Sequence, residues 1–428
     1  MSEGYKDSVF GKIPITWNSL KLVDVLSKSP EYGANASAKE FDSNSFRYIR
    51  ITDILENGKL TENNFVGISI KEGESYKLIQ DDILIARTGN TVGKSYLYDI
   101  KDGECSFAGY LIRFKINKTI STPKYIIQYL HSELFWNWVK SIVRTGAQPN
   151  INSKEYQSLP IPLPPLPEQQ KIAEILSTVD AKIEVIDQQI TETQELKKGL
   201  MQRLLTKGIG HTEFKDSPLG EIPKSWEVVR FGDTLTQSPE YGANASAKEY
   251  DSVCYRYIRI TDILENGRLT TSNYVGISIQ EGKQYELTEN DILIARTGNT
   301  VGKSYLYQNE DGLCSFAGYL IRFRCDEKRL NPKFIFQFLH SDVFWNWVKS
   351  IVRTGAQPNI NSKEYQSMQI PLPNIFEQQK IVEILSSVDA KLEVLSEKKT
   401  HYQELKQGLM QQLLTGKVRV SVNEKIQS

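Results

Sequence analysis

The sequence predicts an α+β chain arranged as a pseudo-two-fold dumbbell, with two repeated mixed α/β globular domains joined by two long antiparallel coiled-coil helices. Three observations carry that prediction. The chain is written twice at an offset of 209 residues, each copy alternates short β-rich runs with turn signals, and each copy ends in a sustained heptad pattern.

"SPEYGANASAKE" starts at Ser29 and again at Ser238, "DILIARTGNTVGKSYLY" at Asp82 and Asp291, and "FWNWVKSIVRTGAQPNINSKEYQS" at Phe135 and Phe344. Ile13-Pro14 with Trp17 finds Ile222-Pro223 with Trp226, and Glu168-Gln169-Gln170 finds Glu377-Gln378-Gln379. A period this long exceeds any solenoid repeat, so each copy is a folding unit of its own. Two such units imply pseudo-two-fold symmetry and a partner with two equivalent sites.

Within the first copy, "RYIRI", "DILIA" and "YLIRF" read as strands, "ENG", "RTGN" and "KDGE" as turns, and "KYIIQYLHSELFWNWVKSI" as helix. "LPIPLPPLP", from Leu159 to Pro167, follows as a rigid elbow whose prolines exclude helix until the last of them. From Glu168 the apolar positions Ile172, Leu176, Val179, Ile183, Ile186 and Ile190 step by four and three, and Leu200 and Leu204 rejoin the register. Ile381, Leu385, Val388, Leu392, Leu395, Tyr402, Leu409 and Leu413 repeat those phases. A helix of about 40 residues spans roughly 60 Å. The first helix leads away to the second domain and the second returns, so the economical pairing of the two stripes is antiparallel; the alternative is that each stripe packs on its own domain or dimerises with another chain. The expected boundaries are domains at 1–165 and 208–374, helices at 166–207 and 375–417, and a tail at 418–428.

With 39% apolar and 24% charged residues the chain has the composition of a soluble globular protein. Its N-terminal residues are polar and acidic, and no apolar run approaches a membrane span, so a cytoplasmic protein without a membrane partner is expected. Cys105, Cys254, Cys314 and Cys325 lack C-x-x-C spacing, and His131, His211, His340 and His401 lack ligand spacing. Reduced thiols and no metal site follow. Lys plus Arg is 52 and Asp plus Glu is 52, so any affinity for DNA must rest on local basic surfaces or on charge that a partner supplies.

"RTGNTVGKSY", from Arg87 to Tyr96, approaches a phosphate-binding loop. That loop needs G-x-x-x-x-G-K-[ST] between a strand and a helix, because amides at the helix N-terminus wrap the phosphates. Here Gly89, Gly93, Lys94 and Ser95 are one residue short, Thr88 stands where the first glycine belongs, and "SYLYDI" reads as a second strand. Strand, glycine turn and strand make a hairpin, and nucleotide hydrolysis is not expected. A coiled-coil ATPase would instead bind ATP and lose it on Lys94→Ala with Lys303→Ala.

The hairpin tip presents Arg87, Thr88, Asn90, Thr91 and Lys94, repeated as Arg296, Thr297, Asn299, Thr300 and Lys303. A second loop carries Arg144, Thr145, Gln148 and Asn150, repeated as Arg353, Thr354, Gln357 and Asn359. A third carries Tyr32, Asn35, Ser37 and Lys39, repeated as Tyr241, Asn244, Ser246 and Lys248. Arg and Lys neutralise phosphates, and Arg and Asn read purine edges bidentately, so these residues are DNA-binding candidates. Any one of the loops alone reads equally well as an ordinary solvated turn; three of one chemical type weigh against that. Between Ser29 and Phe114 the copies agree at 67 of 86 positions and all three loops are identical, so either the duplication is recent or both copies face one chemical target.

"GKIPITW" and "GEIPKSW" open the copies, "YIRITDI" and "DILIARTG" follow, and "LPIPLPPLPEQQKIAEILSTVDAKIE" leads into the long helix, reappearing as "IPLPNIFEQQKIVEILSSVDAKLE". On these motifs nearly the whole chain resembles the specificity subunit of a Type I restriction-modification system. The resemblance implies two target-recognition domains, each reading one half of a bipartite site in double-stranded DNA. It implies two adenine methyltransferase subunits using S-adenosylmethionine and restriction/translocase subunits using ATP and Mg as partners, with no cofactor bound and no reaction catalysed by this chain. The sequence agrees in lacking the tetrapeptide N-P-P-[YF]. Asn374 and Phe376 replace Pro165 and Pro167 in the second copy, which would loosen its elbow. Near-identical domains imply near-identical inverted half-sites. The helices then set the spacer, and Lys171, Glu174, Lys182 and Glu184 with the elbows are where methyltransferase contacts are expected. A free-standing sequence-specific DNA-binding protein is the alternative, distinguished by DNA affinity without partners.

Overall fold

The computed structural model describes residues 4–143, 148–352 and 358–421. The chain divides into two units, Met1–Asp187 with Glu397–Ser428 and Gln188–Ser396, so each unit holds one globular domain and one half of each long helix. Among the described residues no helix is long and apolar enough to cross a membrane.

In the first unit one four-stranded sheet runs in the order Glu31–Tyr32, Leu111–Phe114, Ile83–Ala86, Ser95–Leu97, all antiparallel. A second has the order Cys105–Phe107, Ser45–Ile49, Val66–Ser69, Lys39–Glu40, its first pair parallel. Side chains alternate faces along a strand. Ile83, Ile85, Ile112 and Phe114 therefore enter a core with Trp17, Tyr125 and Leu176, while Leu84, Ala86 and Leu111 enter another with Ile49, Tyr96 and Phe107. Both faces being covered, Ile83–Ala86 reads as an unbroken apolar run, and Leu111–Phe114 is interrupted only by the buried Arg113, which pairs with Glu31. The second unit repeats the arrangement around Ile292–Ala295 and Leu320–Phe323.

"KYIIQYLHSELFWNWVKSI" is helical as expected, divided into Pro123–Leu130 and Glu133–Ile142. Ser132 breaks it as an N-cap, its hydroxyl accepting the Phe135 N–H at 3.4 Å. The break seats His131 against Gly58, where φ is +74° and a Cβ would lie 2.3 Å from His131 Cε1. Only glycine fits that approach. Burial, with a smaller contribution from Lys406, pushes His131 down to about 4.

The elbow is also more ordered than a stiff proline run. Pro160–Leu163 pairs antiparallel with Asn18–Lys21, with Ile161 fully buried, and the helix Leu166–Lys207 begins three residues later. Proline is tolerated on such an edge strand, where its missing N–H leaves no ladder bond unmade. The second elbow, Gln369–Leu372 on Glu227–Arg230, is not loosened by its substitutions. Asn374 accepts the Glu377 N–H at 3.0 Å through its side chain and so caps the helix Ile375–Leu413.

The half-helices of each unit run antiparallel. Asp180 pairs with Lys406 at 2.6 Å and Asp187 with Lys399 at 2.6 Å in the first unit, and Lys197 with Asp389 at 2.7 Å in the second. Their apolar stripes are more than a helix–helix seam. Ile172, Leu176, Met410 and Leu413 share a core with Trp17 and Phe114, and Met201, Leu204, Ile381 and Leu385 share one with Trp226 and Phe323.

The Glu-Gln-Gln motif locks helix to domain. Trp17 Nε1 donates to Glu168 at 3.0 Å, and Arg419 grips the same carboxylate at 2.7 and 2.9 Å. Gln169 accepts from Ser121 at 2.8 Å and donates to the Pro164 carbonyl at 2.8 Å.

Two outcomes are expected. Glu168→Ala strands the buried Trp17 N–H and frees the half-exposed Arg419, so it should cost about 2–3 kcal/mol and lower the melting temperature of the first unit. The folded-state pKa of His131 lies below the ordinary value of 6.5, so the unfolded chain binds the extra proton between about 6.5 and about 4. Stability should therefore fall as pH drops through that window, by about 2–3 kcal/mol from this residue. His131→Gln, which does not titrate, should melt with a shallower pH slope there, and an equal slope would refute the assignment.

Candidate nucleic-acid interface

Ile83–Ala86 and Ser95–Leu97 form the hairpin read from the sequence, with a single 3-10 turn at Gly89–Thr91. A strand rather than a helix follows the tip, so its amides do not converge on a helix N-terminus as a phosphate loop requires. Gly89 and Gly93 take φ of +69° and +91°, which glycine adopts without strain.

The tip is clamped by the other loops. Gly89 N–H donates to the Pro149 carbonyl at 2.9 Å, Ile151 N–H to the Arg87 carbonyl at 2.9 Å, and Thr88 bridges Asn150. Arg87 N–H donates to the Tyr110 carbonyl at 3.0 Å. The Arg87 guanidinium lies over the Tyr32 ring, 4.9 Å from its centroid, and the Tyr32 hydroxyl is held by Ser153. Burial raises the Tyr32 phenol, but the Ser153 hydrogen bonds and the Arg87 charge outweigh it and leave the pKa lowered. Three loops far apart in sequence thus place Tyr32, Arg87, Thr88 and Asn150 together, with Asn90, Gln148 and Asn150 exposed.

The second unit repeats each contact. Arg296 lies 4.8 Å over Tyr241, Gly298 donates to Pro358 at 2.9 Å, and Thr297 bridges Asn359. In each copy the Nε of this arginine is buried without a hydrogen-bond partner.

Other candidates are placed differently. Lys94 does not present a free charge outward. Its ammonium pairs with Glu56 at 2.8 Å and points at the Ile54 carbonyl, and Lys303 does the same with Glu265 at 2.8 Å. Thr91 and Thr300 donate within their own turn to Thr88 and Thr297. Asn35, Ser37 and Lys39 are exposed, but Lys39 belongs to the other sheet and pairs with Asp42 at 3.5 Å. Asn244, Ser246 and Lys248 are likewise exposed, with Lys248 in the matching strand. Arg144, Thr145, Arg353, Thr354 and Gln357 lie outside the described residues.

Sequence reasoning missed Tyr110 and Tyr319, both 61% exposed beside the clustered arginines, and Ser153 and Ser362, which orient the stacked tyrosines. An aromatic between glycine and an apolar strand in "AGYLIRF" was the available signal. An exposed aromatic pair, Phe41 with Phe65, also escaped notice; Arg47 lies 3.9 Å over Phe65.

Along the first long helix a groove of about 760 Å³ is lined by residues including Pro123, Ala173, Glu174, Ala181 and Lys182. Lys171 pairs with Glu174 at 2.9 Å, whereas Glu184 is engaged by Lys59 of its own domain. Among the described residues no cluster of His, Cys, Asp and Glu is disposed to hold a metal ion.

The family model for the Type I restriction modification DNA specificity domain matches residues 14–195 and again 223–407. The chain is 28% identical over 426 residues to the Type I restriction enzyme MjaVIII specificity subunit of Methanocaldococcus jannaschii, covering 98% of this chain and 96% of that one. It is 28% identical over 428 residues to the putative MjaX specificity subunit of the same organism, covering 98% and 97%. Among solved structures it shares the fold of the Type I restriction-modification S subunit from M. genitalium, with a TM-score of 0.59 at 13% identity over 93% of this chain and 96% of that one.

The two tip glycines should differ in tolerance. A Cβ on Gly93 would lie 3.0 Å from the Trp136 ring, whereas one on Gly89 meets nothing within 4 Å. Gly89→Ala carries only the positive-φ strain, about 1–2 kcal/mol. Gly93→Ala must also displace Trp136 and should melt lower, and equal melting temperatures would argue against this packing.

Proposed function

The chain belongs to the family of Type I restriction-modification DNA specificity domains, and from that membership we propose that its two target-recognition domains read identical half-sites of an interrupted inverted repeat. As a specificity subunit it confers the DNA target on a complex and is not itself catalytic. The repeated loop cluster supports the finer reading. Arg87 on Tyr32 and Arg296 on Tyr241 have the same geometry, at 4.9 and 4.8 Å, and the clamping bonds recur with the same partners. Equal readers applied to the two antiparallel strands of a duplex select equal halves.

In this reading the partners are double-stranded DNA, two methyltransferase subunits that modify adenine with S-adenosylmethionine, and restriction/translocase subunits that use ATP and Mg, all in the cytoplasm. The groove beside Glu174 and Lys182 and the two elbows suit methyltransferase docking. The chain's equal numbers of acidic and basic residues, 52 each, suit a division of labour in which clamping partners supply counterion release and this subunit selects bases. A free-standing DNA-binding protein would bind its site tightly without those partners.

Mapping methylated adenines in a host carrying the chain with its modification subunits should return an interrupted inverted repeat with identical halves; two unrelated halves would overturn the proposal. Inserting one heptad into both long helices adds about 10 Å and should lengthen the spacer by about three base pairs. An unchanged spacer would limit the helices to docking.

A further inference from the structure

Resting on that functional reading, we infer that Arg87 and Arg296 are specificity-determining residues, each reading a guanine in one half-site through the free edge of its guanidinium. Among the described residues, the other arginines that are not freely solvated have partners. Arg113 and Arg322 hold Glu31 and Glu240, and Arg324 holds Asp291. Arg47 and Arg256 donate to the Thr61 and Thr270 carbonyls. Arg87 and Arg296 are partly buried, no acid or carbonyl among the described residues holds their guanidinium, and the buried Nε of each is unpaired.

Buried unpaired donors are few in native proteins, and each calls for an explanation. Here the same one occurs in both copies, which argues against chance placement. The side chain is also fixed before any ligand arrives. Its peptide is held on one side by the Tyr110 carbonyl and on the other by Ile151 N–H, and its plane rests on Tyr32. A guanidinium so fixed offers a planar fork, which fits the O6 and N7 acceptors of guanine in the major groove.

A phosphate presents acceptors too, but the surroundings favour a base edge. The nearest lysine of the hairpin, Lys94, is committed to Glu56, so no second cation of the tip joins Arg87. The exposed neighbours Asn90, Gln148 and Asn150 are amides, which pair with base edges. Tyr110, exposed in the turn whose carbonyl anchors Arg87, adds an apolar face.

The test uses the complete complex of this chain with its modification subunits, methylating a library of random sequence read by single-molecule sequencing. The wild type should give a consensus with guanine at one common position in both halves. Arg87→Gln alone should accept sites with one intact half and one half relaxed at that guanine, as should Arg296→Gln. Methylation of the parent site should fall about 5- to 150-fold for each lost bidentate contact. Arg87→Lys keeps the charge but not the fork and should relax the same position. That variant also decides the matter if Arg87→Gln fails to assemble.

A consensus lacking the common guanine, or restored selectivity with lysine, would overturn the inference. So would weakening spread over all sequences with an unchanged consensus and a salt slope reduced by about one, the signature of a phosphate contact. Absence of any methylated consensus from the wild type would overturn the functional reading as well; an unchanged consensus from the variants would overturn this inference alone.

Discussion

A carboxylate in the first turn of each long helix, buried at Glu168 and partly buried at Glu377, sets the geometry on which the rest depends. Glu168 is 3% exposed, and stranded there it would be costly. Three things offset that cost: the helix N-terminus favours an anion, Trp17 donates an N–H, and Arg419 supplies opposite charge. Glu377 likewise accepts from Trp226 Nε1 at 3.0 Å, and His211 Nε2 lies 2.7 Å from it. His211 and Arg419 each stand three residues beyond a glycine of positive φ, Gly208 at +63° and Gly416 at +69°, that ends the other long helix. The C-terminal tail of the chain thereby does in the first unit what the segment after the first helix does in the second. One such polar cluster per unit ties together where a domain begins, where one helix enters and where the other stops.

With the helices held, the hairpin sheet becomes a rigid base. Both of its faces are buried, so Arg87 and Arg296 rise from strands whose every side chain is packed. Loops carried on such a base can be short and still precise in position, because the strand ends determine where their amides point. Hydrogen bonds between the tip and Pro149 and Ile151 then tie the last free segment to the domain.

The repeat, the hairpin and the long helices were legible because each depends on local pattern: identity at one offset, two-residue alternation around a glycine turn, and a three-four apolar step. What escaped depends on partners remote in sequence. The prolines of the elbow argued against helix but gave no hint that Pro160–Leu163 would pair with Asn18–Lys21, well over a hundred residues away. Ser132 was a visible capping residue, but the apolar pattern continued through it, and Gly58, against which His131 seats at the break, is remote in sequence. Lys94 read as an outward charge because its acid, Glu56, belongs to another loop. The gathering of Tyr32, Arg87 and Asn150 was likewise invisible, though each had been singled out for its chemistry.

The internal differences between the copies bear on whether the shared loops reflect only a fresh duplication. Three sets of differences between the copies are compensating. The Asp81–Lys118 ion pair at 2.6 Å is replaced by an Asn290–Glu327 hydrogen bond at 3.1 Å, so a basic partner has become acidic as its acid became an amide. The Lys77–Glu104 pair gives way to Glu286 accepting from Tyr255 at 2.8 Å, where the first copy has Phe46. Phe41 and Phe65 become Tyr250 and Tyr274, which keep the edge-to-face contact at 5.8 Å and the arginine above it. Copies that have exchanged partners in step have had time to diverge. That the stacked arginine, its tyrosine and the hairpin tip show no difference supports a common constraint on that surface, which equal half-sites would supply.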